Sequence, residues 1–287
     1  MTIPRLPVLL WEETVRRALL EDLGRAGDIT TDAVIDPASS AAARLVARRG
    51  GTIAGLELVR ETFRMVDPEV VCELAAADGE RVEAGRLLAR VSGRSRSLLT
   101  AERTALNFLG HLSGVATATR ELVDEVAGTT AKIVCTRKTL PGLRTLQKYA
   151  VRCGGGANHR FGLDDAVLIK DNHLVAAGGA ASAVARARAA AGHLVKIECE
   201  VKDLDELDQA LAAGVDVVLL DNMEPAMLRE AVGRVRGRAV TEASGGITRA
   251  TVRAVAETGV DCISVGWITH SAPNLDVALD FEEPASG

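Results

Sequence analysis

The chain has 287 residues, of which 47% are hydrophobic and 25% charged, with a formal net charge of −5. This ordinary globular usage excludes collagen-like, low-complexity and disordered chains, and the length suits two domains or one large α/β domain with an appendage. A net-acidic chain without a basic stripe argues against a nucleic-acid partner, and no apolar run reaches the roughly 18 residues of a membrane span.

Aromatic residues make up only 2% of the chain, so the core must be built from Ala, Val, Leu and Ile. That composition suits buried parallel strands under Ala-rich helices. The five cysteines, Cys72, Cys135, Cys153, Cys199 and Cys262, are scattered and form no CxxC. They are expected to be reduced thiols in a cytoplasmic protein, neither a disulfide framework nor a zinc site. The apolar stretch Leu6–Trp11 before Glu12 is too short for a signal peptide.

Trp11, Val15, Ala18, Leu19 and Leu23 share one helical face, and Gly24 closes that helix. Ala43–Ala47 and Leu87–Val91 alternate like strands, with turns at Gly50-Gly51 and Asp78-Gly79, which predicts a small antiparallel sheet. Thr100 is placed as the cap of a long helix running to about Thr119, burying Ala105, Phe108, Leu109, Leu112, Val115 and Ala116. On spacing alone, Arg103, Asn107 and His111 form a solvated face of that helix.

From about residue 131 the pattern repeats. Short apolar runs at Lys132–Cys135, Ala166–Ile169, Leu194–Ile197, Val217–Leu220, Ala239–Thr241 and Cys262–Val265 alternate with helices. Asp203, Pro225 and Thr248 sit at helix starts, and Gly192, Gly214 and Gly259 at helix ends. Glu200, Asp221, Ser244 and Gly266 end successive units at separations of 21, 23 and 22 residues. Six repeating βα units, fewer than the usual eight, predict a small or open barrel of parallel strands.

Working residues of such a barrel project from the C-terminal strand ends. There the sequence places Thr136-Arg137-Lys138-Thr139, Lys170-Asp171-Asn172, Glu198-Cys199-Glu200, Asp221-Asn222, Glu242 to Gly246, and Gly266. Between Thr136 and Lys170, seven Lys and Arg residues face only Asp164 and Asp165. That local excess in an acidic chain points to a small polyanionic ligand. Arg144, Lys148 and Arg152 share a helical face and are expected to meet solvent.

Ser244-Gly245-Gly246 and Val265-Gly266 resemble the paired late loops that hold a phosphate in many barrels, where backbone N–H groups approach the anion. Glu198 and Glu200 lie on one strand face, and Asp221 ends the following strand. These acids can accept hydrogen bonds from sugar hydroxyls or hold Mg²⁺, or they can pair internally with Lys170 or Lys196. Gly154-Gly155-Gly156 fits neither a Walker loop nor a dinucleotide fingerprint, and neither a G-x-S-x-G elbow nor an HExxH occurs.

Several ordered blocks carry a resemblance: Thr136 to Arg144, Lys148-Tyr149-Ala150-Val151, Gly154-Gly155-Gly156, His159-Arg160 and Leu168 to His173. With Glu21-Asp22, Gly27 to Thr30, Thr100 to Arg103, Leu219 to Asn222, Glu242 to Gly246 and Thr269-His270-Ser271, the chain resembles the quinolinate phosphoribosyltransferases over nearly its whole length. Trp267 departs from the pattern, standing where a small residue is expected beside the phosphate loop.

The resemblance implies an N-terminal α/β sandwich (1–113, with 271–287 as a candidate addition) and a C-terminal open α/β barrel (114–270). It also implies a homodimer with a shared active site. The expected reaction joins quinolinate to 5-phosphoribosyl-1-pyrophosphate with Mg²⁺, giving nicotinate mononucleotide, pyrophosphate and carbon dioxide. Carried over residue by residue, Arg137, His159 and Arg160 meet the quinolinate carboxylates, and Lys138 and Lys170 the pyrophosphate or departing carboxylate. Ser244, Gly245 and Gly266 hold the 5-phosphate, and Glu200 and Asp221 the ribose hydroxyls and the metal. Arg103 comes from the neighbouring subunit, which replaces its solvated-face reading. The alternative is a paralogue of the same fold acting on another pyridine acid or acceptor, of the type associated with molybdenum transport.

Overall fold

The computed structural model describes residues 5–282. After a short 3-10 turn the elements run α1 (Glu12–Leu23), α2 (Ile29–Val34), β1 (Ser40–Ala47), β2 (Gly51–Thr52), α3 (Leu56–Val66), β3 (Val71–Leu74), β4 (Arg81–Val82), β5 (Leu87–Arg94) and α4 (Ser95–Glu125). There follow β6 (Lys132–Val134), α5 (Arg144–Cys153), β7 (Val167–Ile169), α6 (Asp171–Ala177), α7 (Ala180–Ala190), β8 (Ile197–Val201), α8 (Leu204–Ala212) and β9 (Val217–Asp221). The chain continues through α9 (Pro225–Val235), β10 (Val240–Ser244), α10 (Arg249–Ala256), β11 (Cys262–Ser264), α11 (Trp267–His270) and β12 (Val277–Phe281). They divide between two units, one built from residues up to Arg120, Thr139–Gly155 and residues from Thr269 on, the other from Glu121–Lys138 and Gly156–Ile268.

In the first unit β12, β1, β5 and β3 form an antiparallel sheet in that order. The C-terminal strand thus pairs with Ala43–Ala47. Its inner face carries Leu45, Leu88 and Val91, which pack with Phe63, Leu98 and Leu109 in one apolar core. Small residues decide how closely chain segments approach. A Cβ on Gly114 of α4 would sit 2.2 Å from the Pro273 carbonyl oxygen, so glycine lets the chain leading to β12 lie on the helix.

The triple glycine has a similar explanation. A Cβ on Gly154 would lie 2.5 Å from the Ala116 carbonyl oxygen, while Gly155 has a φ of +87°. The run stops α5 where its end touches α4.

Two expectations for this unit fail. Thr100 does not cap the long helix, because β5 leads directly into α4 at Ser95; the Thr100 hydroxyl donates to Asp28 Oδ2 at 3.1 Å instead. Lys148 does not meet solvent: Leu146 through Val151 are buried all round α5, and Lys148 is fully enclosed. Spacing shows which residues share a helical face but not what covers it. Neighbouring Tyr149 donates to Asp78 Oδ2 at 2.8 Å, and Asp78 Oδ1 accepts from the first N–H groups of α3, Gly55 at 3.0 Å and Leu56 at 3.1 Å.

The second unit is an α/β domain with a six-stranded parallel sheet in the order β6-β11-β10-β9-β8-β7. Consecutive strands are neighbours except that the first lies beside the last, the order of a barrel left open between β6 and β7. An isolated parallel bridge from Val134 to Ala157 extends the β6 edge. Asp203 caps α8 by accepting the Glu206 N–H at 2.8 Å, Pro225 opens α9, and Thr248 caps α10. Gly214 and Gly259 take the left-handed conformation at φ of 78° and 90°, as expected. Gly192 does not; α7 ends at Ala190 with Ala191 extended.

Two barrel strands also differ from the apolar runs. The strand expected at Leu194–Ile197 begins only at Ile197 and continues to Val201, and the one expected at Ala239–Thr241 continues to Ser244. In β8 the buried Ile197, Cys199 and Val201 alternate with Glu198 and Glu200, and in β10 Glu242 interrupts the apolar pattern. Acidic side chains on one strand face hide those strands from a search for continuous apolar runs.

Candidate active site

The second unit gathers most of the expected residues at one end of its sheet. Arg137 and Lys138 follow β6, Lys170 follows β7, Glu200 lies near the end of β8, and Asp221 and Ser244 end β9 and β10. Gly245 comes next, and Gly266 lies just beyond β11. In a parallel sheet all these ends point the same way, so the backbone alone brings one rim of charge together.

The Asp221–Gly246 region is closely knit. Ser244 Oγ donates to Asp221 Oδ1 at 2.7 Å, Asn222 Nδ2 donates to Asp221 Oδ2 at 2.7 Å, and the Asn222 N–H donates to the Ser244 carbonyl at 2.9 Å. Asn222 itself adopts a φ of 54°, uncommon without glycine. Gly245 has a φ of +100°, and a Cβ there would lie 2.1 Å from Asn222 Oδ1. The loop therefore requires glycine at Gly245 for both backbone conformation and space. Trp267 anchors the adjoining segment, its indole N–H donating to the Ile247 carbonyl at 3.0 Å.

The neighbouring rim is cationic. Lys170 Nζ meets Glu200 Oε2 at 2.5 Å, the internal pairing left open by the sequence. The lysine side chain is 49% exposed, and such open pairs contribute little stability, so an anionic ligand can take over the lysine. Lys138 is exposed just past β6.

Arg160 donates through Nη1 to the Ala166 carbonyl at 3.0 Å. Burial and then the charge of Arg137 hold its guanidinium below the ordinary arginine range, against the opposing pull of Glu198 and Asp165. Two guanidiniums whose charges repel in a partly desolvated position favour an anion between them.

His159 reaches the same unit's interior. Its Nε2 lies 3.0 Å from Glu198 Oε2 and 3.6 Å from Glu242 Oε1, while Nδ1 accepts the Arg160 backbone N–H at 2.7 Å. The segment before it is pinned to β6. Ala157 N–H donates to the Ile133 carbonyl at 2.8 Å, Cys135 N–H to the Ala157 carbonyl at 3.2 Å, and the Cys135 thiol to Asn158 Oδ1 at 3.3 Å. Burial, then the charge of Glu198, pushes Glu242 up to about 7.

By sequence, Glu198 is only one of three acids able to meet sugar hydroxyls, Mg²⁺ or a lysine, and Glu242 has no role of its own. The available signal was an acid in mid-strand, between Thr241 and Ala243, which are 2% and 1% exposed. Arg103 lies in the first unit, exposed on α4, and is not among the residues gathered here.

No thiol is poised as a nucleophile where a shift is evident. Burial pushes Cys153 up to about 12, and Cys72, Cys199 and Cys262 up to about 11, the opposite of thiolate activation. Among the described residues no helix is long and apolar enough to cross a membrane.

Both units match family models. The quinolinate phosphoribosyl transferase N-terminal domain matches residues 28–113 and the C-terminal domain residues 115–280. The chain belongs to the quinolinate phosphoribosyltransferase family. A probable nicotinate-nucleotide pyrophosphorylase [carboxylating] of Bacillus subtilis is 44% identical over 261 residues, 91% of this chain and 90% of its own. The Mycobacterium leprae nicotinate-nucleotide pyrophosphorylase [carboxylating] is 46% identical, over 94% of this chain and 96% of its own.

Among solved structures, the nicotinate-nucleotide pyrophosphorylase from Francisella tularensis superposes with a TM-score of 0.93 at 41% identity, over 98% of this chain and 99% of that one. Membership accounts for the fold in full: an N-terminal antiparallel-sheet domain followed by a six-stranded parallel α/β domain.

Proposed function

We propose that this phosphoribosyltransferase transfers the phosphoribosyl group of 5-phosphoribosyl-1-pyrophosphate to quinolinate, with decarboxylation, in de novo synthesis of NAD. The observation that carries the reading is the rim at the strand ends, where Arg137 and Lys138 follow β6 and Lys170 follows β7, in the same unit as Arg160 and the Asp221–Ser244–Gly245 loop. Two reactants that together carry two carboxylates, a phosphate and a pyrophosphate need fixed cations and an N–H-lined loop.

Arg137 and Arg160, with His159 beside them, bind the quinolinate carboxylates. Ser244, Gly245 and Gly266 bind the 5-phosphate. Asp221 and Glu200 accept from the ribose hydroxyls, and Lys138 and Lys170 stabilise the pyrophosphate as it separates. The quinolinate ring nitrogen forms a bond to the ribose C1 while the C1–oxygen bond to pyrophosphate breaks, its electron pair leaving with the pyrophosphate. The ring nitrogen, now quaternary, draws in the electron pair of the adjacent carbon–carboxylate bond. Carbon dioxide leaves, and a proton from water or a nearby acid fills the vacated carbon. Fixed charge and positioning supply the catalysis, without a covalent enzyme intermediate.

The donor set of Glu200 and Asp221 suits Mg²⁺. Both are hard oxygen donors, Asp221 is held by neutral partners, and neither belongs to a cluster of three ligand side chains among the described residues. A cation there would take its other ligands from water and substrate phosphates, as Mg²⁺ prefers. Bound Mg²⁺ would neutralise charge developing on the pyrophosphate.

The enzyme works as a homodimer with a shared active site to which the neighbour donates Arg103, in the cytoplasm, where its free thiols stay reduced. Release of labelled carbon dioxide from carboxyl-labelled quinolinate, with the sugar donor and Mg²⁺, tests the reaction. No release under those conditions sinks it and favours a paralogue using another acceptor.

A further inference from the structure

Glu198 and Glu242 are 7% and 6% exposed, and Oε1 of each accepts no hydrogen bond. Burying carboxylates in this way is unfavourable, and well-packed apolar side chains would serve a barrel interior better. The two acids come from β8 and β10, strands that β9 separates, yet both point at the same atom, His159 Nε2. Register puts both on one face of the sheet, Glu198 opposite Val217 and Glu242 opposite Leu219, but does not by itself aim them at one atom.

Its consequence falls on the imidazole. The Glu198 carboxylate, 3.0 Å from Nε2, requires a proton there, and Nδ1 is occupied as the acceptor of the Arg160 N–H at 2.7 Å. Both ring nitrogens are therefore committed within the chain, which fixes the tautomer and the ring orientation. Arg160 is held at its backbone by His159 and at its guanidinium by the Ala166 carbonyl.

We propose that Glu198 and Glu242 are positioning residues for the quinolinate half of the site: Glu198 accepts from His159 Nε2 with the Glu242 carboxyl group closing in on the same atom, and His159 in turn holds the Arg160 backbone so that its guanidinium is aimed at a quinolinate carboxylate. His159 then serves carboxylate recognition through Arg160. The inference rests on the quinolinate reading above and deepens it. Preorganisation of this kind means that quinolinate need not supply the free energy to order Arg160. The same three side chains offer ligand atoms within 4.8 Å of one another, but a hydrogen bond from Nε2 to Glu198 already accounts for their approach.

The test compares Glu198→Leu, which removes the acceptor at similar volume, with Glu198→Gln, which keeps an acceptor oxygen; Glu242→Leu, expected to split the two KM values in the same way, gives a second route if the Glu198→Leu variant does not fold. Glu198→Leu should raise the quinolinate KM about tenfold or more and leave the sugar-donor KM within about twofold, and Glu198→Gln should recover most of the loss. A merely structural role would move both KM values together. In ¹⁵N-histidine spectra of the wild-type protein, His159 should carry its proton on Nε2 and not on Nδ1, and Glu198→Leu should abolish that pattern.

An unchanged quinolinate KM in a folded Glu198→Leu enzyme, or a proton on Nδ1 in the wild type, overturns the proposal. So does a thermal midpoint raised by Zn²⁺ in the wild type but not in Glu198→Leu, which would make the cluster a metal site. Absence of wild-type turnover with quinolinate defeats the functional reading instead, and the His159 spectrum still tests the clamp.

Discussion

Replacing Gly245 by alanine tests how the loop proposed to hold the 5-phosphate is built. At a φ of +100° an L-residue is strained, a cost of about 1–3 kcal/mol. The new methyl would also lie 2.1 Å from Asn222 Oδ1 and 2.9 Å from the Asn222 backbone nitrogen, so Asn222 must move. That movement endangers the hydrogen bonds from Asn222 to the Ser244 carbonyl and to Asp221, each worth about 1 kcal/mol.

A combined loss of about 3–5 kcal/mol, with both hydrogen bonds broken, would be divided between loop position and fold stability. At about 1.4 kcal/mol per factor of ten, the sugar-donor KM should rise about 10- to 100-fold. The thermal midpoint should fall by a few degrees, and quinolinate binding measured by calorimetry should change little. Gly246→Ala provides the comparison: its φ is +58° and no atom lies within 4 Å of the added Cβ. Only the backbone cost of about 1–2 kcal/mol remains there. If Gly245→Ala binds the sugar donor as the wild type does, or if Gly246→Ala is the more damaging change, the steric argument is wrong.

Lys138→Ala should abolish turnover without loss of thermal stability, since that side chain is exposed; near-normal kcat in a steady-state assay would remove it from the mechanism. Mixing inactive Arg103→Ala with inactive Lys138→Ala subunits should restore part of the activity if neighbouring subunits share the site, and confirmed heterodimers without recovery would argue against sharing. Glu242 is held at about 7 in the fold, against an ordinary value of 4.5, chiefly by burial. The folded chain therefore keeps a proton that the unfolded chain releases, and this group's contribution to stability falls as pH rises from about 4.5 to about 7. Glu242→Gln should flatten that part of the thermal midpoint–pH curve; an unchanged slope would contradict the assignment.

Much of the site was legible because backbone geometry does the gathering. Residues that end strands of a parallel sheet meet at one rim wherever they stand in the chain. Asp221 and Ser244 could therefore be named from the spacing of successive units, and Lys170 as the residue that follows an apolar run. The sequence also marked the caps at Asp203, Pro225 and Thr248, since local hydrogen bonding decides those positions. Thr100 failed as a cap because the chain turns helical five residues earlier, immediately after β5, and no local signal distinguishes those two starts.

Composition, periodicity and motif order determined the fold class, the repeating βα units and the residues at the strand ends, because these depend on neighbours a few positions apart in the chain. Only the tertiary structure decided that Lys148 is enclosed, that Gly154 marks a close approach to α4, and that Glu198 and Glu242 converge on His159. In each case the deciding partner is distant in sequence, so burial and electrostatics at that position exist only once the chain has folded.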